Sequence, residues 1–196
     1  MLIIALETSG AYPDKHGILS LGAIEFENPD NAFYEECRLD DSKVFDQNTV
    51  QFHGFSELEA RDSKKKSVKE LLQSFLEWMQ SVKEKTFAAH NTPFDWKFLE
   101  WEFRSHNFLW PFNKRSLDIH GWVFYHQLKR GIRPITYNGT SALGLKKILE
   151  YVGIRDPRTT HNALEDAKLE AECFHRLIFG KPLFEDYADQ EVPKYL

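Results

Sequence analysis

Apolar residues run unbroken from Met1 to Leu6 and end at an acid, Glu7. Such a run predicts a central β-strand covered on both faces. Two more strands are expected at Gly17 to Glu27 and Phe33 to Leu39, with Tyr12-Pro13-Asp14 and Asn28-Pro29-Asp30 supplying the turns. The period then changes. Val68, Leu71, Leu72, Phe75, Leu76, Met79 and Val82 recur at helical spacing behind a Ser67-x-x-Glu70 capping box. A short strand over Thr86 to Ala89 leads into a second helix, with Thr92 as N-cap, Pro93 at the first helical position and Asp95 in the first turn.

Ser116 to Asp118 fits a fifth strand, followed by helical patterns at Ile119 to Lys129 and Leu143 to Val152. Between those helices, Ile132 to Thr140 reads as a loop because of Pro134 and Asn138-Gly139. A last helix is expected from an Asn162-x-x-Glu165 capping box to about Phe179. Strands first, then alternating helix and strand, predict an α/β fold with a mixed sheet and helices on its faces. Gly180 to Leu196 carries two prolines and several acids, and reads as a loosely packed tail or a crossing strap. The expected organisation is one domain over 1–180 and a C-terminal tail over 181–196.

Composition narrows the function classes. A chain of 196 residues buries a proper core as one domain. The apolar run at the start is too short for a signal segment, so a cytoplasmic protein without membrane association is expected. Cys37 and Cys173 stand apart from any paired motif, which implies neither a disulfide framework nor a zinc site. With 25 basic and 30 acidic residues the net charge is −5, against a protein that grips long nucleic acid by bulk electrostatics. A protein holding a few nucleotides at one strand end remains compatible with that charge.

Polar residues gather in three segments: Ala5-Leu6-Glu7-Thr8-Ser9-Gly10, His90-Asn91-Thr92-Pro93-Phe94-Asp95 and His161-Asn162-Ala163-Leu164-Glu165-Asp166. Glu7 ends a strand, while Asp95 and Asp166 lie in the first turns of two helices, so three elements can aim carboxylates at one crevice. Hard divalent cations prefer such oxygen ligands. His161, just before an N-cap and within reach of Asp166, suits a general base. Taken singly, Asp95 and Asp166 read as helix-dipole partners and His161 as a surface residue. Glu7 is different, because a carboxylate closing an apolar strand is desolvated unless something cationic meets it.

Together the three segments resemble the DEDDh class of 3′ to 5′ exonucleases, the group that includes polymerase proofreading subunits and ribonuclease T. Gly22-Ala23-Ile24 and His53-Gly54-Phe55 extend the likeness over roughly Ile3 to Phe179. The resemblance implies a ribonuclease H-like fold, a mixed five-stranded sheet flanked by helices. It also implies a pair of Mg²⁺ or Mn²⁺ ions held by Glu7, Asp95 and Asp166. The activity implied is hydrolysis of single-stranded DNA or RNA 3′ ends to nucleoside 5′-monophosphates, with His161 as general base. By the same resemblance Leu6 and Thr8 flank the terminal nucleotide, and His90, Asn91 and Phe94 line the strand cleft; Phe94 suits core packing equally well. The implied partner arrangements are a homodimer, or association with a polymerase or another nucleic-acid enzyme.

Ala5 stands where that pattern has an aspartate touching both metals. Three readings compete: an engineered Asp-to-Ala replacement that inactivates the enzyme, a natural pseudo-exonuclease that binds strand ends without cleaving them, and ordinary strand packing. The intact remainder of the site favours the first. Elsewhere, Trp96, Trp101, Phe103, Phe108, Trp110 and Phe112 suit core packing or a partner interface better than base stacking. Lys64-Lys65-Lys66 reads as a solvated face, and Arg155 and Arg158 as phosphate contacts unless Asp156 pairs with one of them.

Overall fold

The computed structural model describes residues 1–196. Its main sheet is built from β1 (Leu2–Thr8), β2 (Ile18–Glu25) and β3 (Ala32–Glu36), which run antiparallel, together with β4 (Phe87–Ala89) and β5 (Ser116–Asp118), which run parallel to β1. The strand order is β3-β2-β1-β4-β5, a mixed five-stranded sheet with β1 at its centre. Two short helices, α1 (Val50–His53) and α2 (Glu57–Ala60), follow β3. The longer α3 (Val68–Trp78), α4 (Thr92–Ser105) and α5 (Ile119–Lys129) come next. A hairpin, β6 (Thr136–Tyr137) and β7 (Thr140–Ser141), then precedes α6 (Leu145–Tyr151) and α7 (Ala163–Phe179).

The apolar run in β1 is explained by cover on both faces. Leu2, Ile4 and Leu6 pack with Leu71, Leu72, Phe75, Phe98 and Leu99 of α3 and α4. Ile3 and Ala5 point the other way, into a core with Ile119, Ile148, Ala167 and Phe174 of α5, α6 and α7. Side chains alternate across a strand, so Glu7 lies on the same face as Ala5.

α7 runs antiparallel to β1, which sets the site. Its first residue, Ala163, lies against Gly22, where an added Cβ would strike backbone atoms of Ala163 and Leu164. Its last turns reach Phe26, whose ring meets His175 at 6.0 Å and Phe179 at 6.5 Å. β2 therefore shares the direction of α7, and β2 opposes β1. In consequence the N-terminus of α7 sits at the C-terminal end of β1.

Several local expectations are corrected. Asn91, not Thr92, is the cap position of α4 and adopts the left-handed region at φ 58°. Asparagine tolerates that conformation, and the capping is done from across the sheet: Asp118 accepts the amides of Asn91 at 3.2 Å and Thr92 at 3.1 Å. Asn162 does cap α7, through Leu164 and Glu165 amides at 3.0 and 3.2 Å. Glu165 does not reciprocate but pairs with Lys168 at 3.1 Å. The segment read as a loop contains the β6–β7 hairpin, turned by Asn138 and Gly139 at φ 49° and 79°; Asn-Gly is the dipeptide that such turns favour.

The C-terminal segment is tied to α7. Glu172 accepts the amides of Leu183 and Phe184 at 2.8 and 3.0 Å, and the buried Arg176 donates to the Tyr187 carbonyl at 2.9 Å. The aromatic stretch is core: Trp110 packs edge-on against Trp96, Phe103 and Phe112, while Trp101 is the exposed exception. Two residues of the lysine run are paired, Lys65 with Glu36 at 2.6 Å and Lys66 with Glu35 at 2.7 Å. No helix is long and apolar enough to cross a membrane.

Candidate active site

At the end of β1 the register slips between Glu7 and Thr8, and Glu7 is delivered to the first turn of α7. Ligand atoms of Glu7, His161 and Asp166 all lie within 4.8 Å of one another. The donor set, two carboxylates and an imidazole, fits a hard or borderline divalent cation. Burial first, and then the neighbouring Asp166, push the Glu7 carboxyl up to about 8 against the opposing effect of His161. A cation placed there would reverse that penalty.

Asp166 is held from both sides. Arg158 Nη1 approaches Oδ1 at 2.9 Å, and His161 Nδ1 approaches Oδ2 at 3.2 Å. The same guanidinium donates to Asp156 through Nε at 2.8 Å and Nη2 at 2.7 Å, so Arg158 is the arginine that Asp156 takes. The Asp166 hydrogen bond holds the His161 imidazolium above its ordinary range. Two further contacts fix His161: its amide donates to the Phe52 carbonyl at 2.7 Å, and its ring stands edge-on to the Phe52 ring at 6.1 Å. The α1 segment thus positions a histidine more than a hundred residues away in sequence.

Asp95 is brought close but is not in the same cluster. Its Oδ1 accepts the Leu6 amide at 3.0 Å, and burial pushes its carboxyl well above the usual carboxylate range. A cleft of about 330 Å³ opens over the cluster. Leu6, Thr8 and Phe94 line it, joined by Phe52 and His53. His90 and Asn91 lie outside that lining: His90 Nε2 sits 3.1 Å from the Leu143 carbonyl, and Asn91 is turned to Asp118. Ala5 is 6 % exposed and pairs across the sheet with Gly22, contributing only a methyl group to the apolar face behind Glu7.

Glu170 lies outside the three polar segments of the sequence. It follows Asp166 by four residues on α7 and therefore shares its helix face. The residue is 4 % exposed, and its Oε2 has no hydrogen-bond partner. Burial pushes its carboxyl well above the usual range, and the charges of Asp95 and Asp166 raise it further. The spacing from Asp166 was the one signal available in the sequence.

A family model described as exonuclease, RNase T, matches residues 2–174. Over 180 residues the chain is 29% identical to the 3′-5′ DNA exonuclease Cap18 of Escherichia coli, covering 89% of each protein. It is also 29% identical over 176 residues to the DNA polymerase III subunit epsilon of Haemophilus influenzae, covering 88% of this chain and 62% of that one. Among solved structures, the nuclease domain of 3′hExo, described as a DEDDh family member bound to rAMP, matches with a TM-score of 0.68 at 18% identity, covering 100% of this chain and 96% of that one. Escherichia coli exonuclease I in complex with a dT13 oligonucleotide also matches with a TM-score of 0.68 at 18% identity, over 89% of this chain and 40% of that one. At these identities the structural matches speak for the fold.

Proposed function

The chain belongs to the RNase T exonuclease family as a DEDDh-class 3′ to 5′ exonuclease, and from that premise we propose that it trims single-stranded DNA or RNA 3′ ends to nucleoside 5′-monophosphates. Glu7, Asp95 and Asp166 would hold the divalent cations, Mg²⁺ or Mn²⁺, and His161 is the general base. The observation that carries this reading is the convergence of Glu7, His161 and Asp166 within 4.8 Å at the floor of the cleft. The catalytic unit is residues 1–180, with 181–196 as its strap.

Bound divalent cations supply positive charge that polarises the phosphodiester and acidifies the attacking water. The chain's own residues do the rest. Asp166 anchors His161 through Nδ1, leaving Nε2 as the ring nitrogen that takes the proton from water. Leu6, Thr8 and Phe94 line the place of the terminal nucleotide. Phe52, half exposed at the rim, offers a flat apolar face on which a base stacks.

Ala5 favours a second reading, a protein that binds 3′ ends without cleaving them. If β1 were the sole source of the missing oxygen, the chain as it stands would be strongly impaired, and Ala5→Asp would restore it. The test is release of 5′-monophosphates from 3′-labelled single-stranded DNA and RNA in Mg²⁺ or Mn²⁺, by this chain and by Ala5→Asp. Release by either supports the exonuclease; release by neither, with 3′-end binding retained, leaves the binding module.

A further inference from the structure

Glu170 buries a carboxylate oxygen that no donor in the chain satisfies. A buried carboxylate oxygen without a partner is expensive and rare in folded proteins. The neighbouring charges that raise the Glu170 carboxyl are carboxylates, Asp95 and Asp166 first and Asp118 after them, and only a hydrogen bond donated by the His90 amide opposes them. As packing, this is a poor arrangement. As ligation, it is the arrangement a cation requires, because convergent carboxylates are stable together only around positive charge.

The neighbouring strand sets Glu170 near Ala5. Glu170 follows Asp166 by about one helical turn on the same face, and Asp166 meets Glu7 near the end of β1. The His90 amide donates a hydrogen bond to the Glu170 carboxylate. Ala88 of β4 pairs in parallel with Ile3 of β1, so His90, two residues on, stands beside Ala5, the strand position that carries only a methyl group.

We infer that Glu170 supplies from α7 the metal-binding oxygen that β1 lacks at Ala5, completing a four-carboxylate centre with Glu7, Asp95 and Asp166. The inference rests on the metal-dependent reading above and goes beyond it in naming a ligand from a different element. Ala5 and Glu170 then form a matched pair. An aspartate at position 5 would press a further carboxylate on Glu170, and the small alanine leaves the longer glutamate its room.

The test compares the chain with Glu170→Gln, Ala5→Asp and Ala5→Asp/Glu170→Gln, titrating Mn²⁺ by calorimetry and by the resonance signal of free Mn²⁺. Circular dichroism and melting in EDTA confirm the fold. The unaltered chain is expected to bind a pair of Mn²⁺ ions. Glu170→Gln is expected to lose one of them, or to bind at least about tenfold more weakly, without a loss of melting temperature in EDTA. The double variant recovers binding, because the oxygen returns from β1.

Unchanged number and affinity of Mn²⁺ ions in Glu170→Gln would overturn the assignment. Should Glu170→Gln fail to melt cooperatively, Ala5→Asp decides: no added ion supports the pair, whereas the gain of a second ion that the unaltered chain does not bind overturns it. The exonuclease reading has its own readout. Loss of Mn²⁺ in Glu170→Gln, with no nucleotide released by the unaltered chain or by Ala5→Asp, would leave the ligand assignment standing and remove the nuclease.

Discussion

Arg158 Nη1 lies 2.9 Å from Asp166 Oδ1, with both side chains largely buried. The guanidinium is itself anchored on Asp156 at 2.7 Å, so it cannot swing away without breaking a second ion pair. Asp166 is therefore shared between a fixed positive charge and the open side of the cluster formed with Glu7 and His161. Any cation that Asp166 binds works against the field of Arg158.

Replacing Arg158 by Gln should consequently have two opposite effects. In EDTA the protein loses about 3 kcal/mol, the scale for leaving one member of a buried pair without its partner, and its melting temperature falls. Mn²⁺ affinity measured by calorimetry rises, because a neighbouring positive charge is gone. A fall in Mn²⁺ affinity would show that Arg158 chiefly orients Asp166.

Stability in EDTA should decrease with rising pH. The folded-state pKa of Glu7 is raised from 4.5 to about 8, so the folded protein keeps a proton that the unfolded chain releases. The stabilisation is fully present below 4.5 and is lost as pH climbs through about 8. His161 adds to the trend, since it too is raised, by its hydrogen bond with Asp166. Melting curves across this window test the sign, and Glu7→Gln should flatten them. Mn²⁺ binding runs the other way and tightens with pH, because carboxylates must shed their protons to ligate.

For His161→Ala, the base role predicts a fall in kcat of about 10²- to 10⁴-fold with KM little changed. Steady-state release of mononucleotides from a single-stranded oligonucleotide measures both. Equal changes in kcat and KM would point to a binding role. Phe52 holds the His161 backbone through a 2.7 Å hydrogen bond, so a ring-only change, Phe52→Leu, should leave kcat nearer the original than His161→Ala does.

Gly22→Ala tests the packing that brings α7 to β1. The added methyl group meets the backbone of Ala163 and Leu164 rather than a movable side chain. Overpacking of this kind costs about 1–3 kcal/mol, readable by denaturant unfolding. Because the displaced residues start the helix that carries Asp166, Mn²⁺ affinity should fall together with stability.

Much of this was legible along the chain because it depends on neighbours in sequence. The apolar run of β1, the period of α3 with its Ser67–Glu70 capping box, and the start of α7 at Asn162 are short-range patterns, and each produced the element expected. The three polar segments were legible for the same reason, since each sits at an element's end where its own residues define the cap or the strand terminus. The errors came where a distant group did the local work. Asp118 caps α4 from another strand, and so the cap residue itself had no need of a capping side chain.

The elements, their order and the acids at their ends follow from periodicity and capping, which act over a few residues along the chain. The fold alone ties Asp95 to the Leu6 amide and Arg158 to Asp166, and leaves a buried Glu170 oxygen unpaired under the influence of Asp95 and Asp166. Those relations depend on the direction in which α7 crosses the sheet, and Gly22 permits that crossing through contacts some 140 residues apart. Within its own helix, Glu170 is simply another acid four residues after Asp166. In the fold it is a buried carboxyl with an unpaired oxygen, pushed up by burial and by the charges of Asp95 and Asp166.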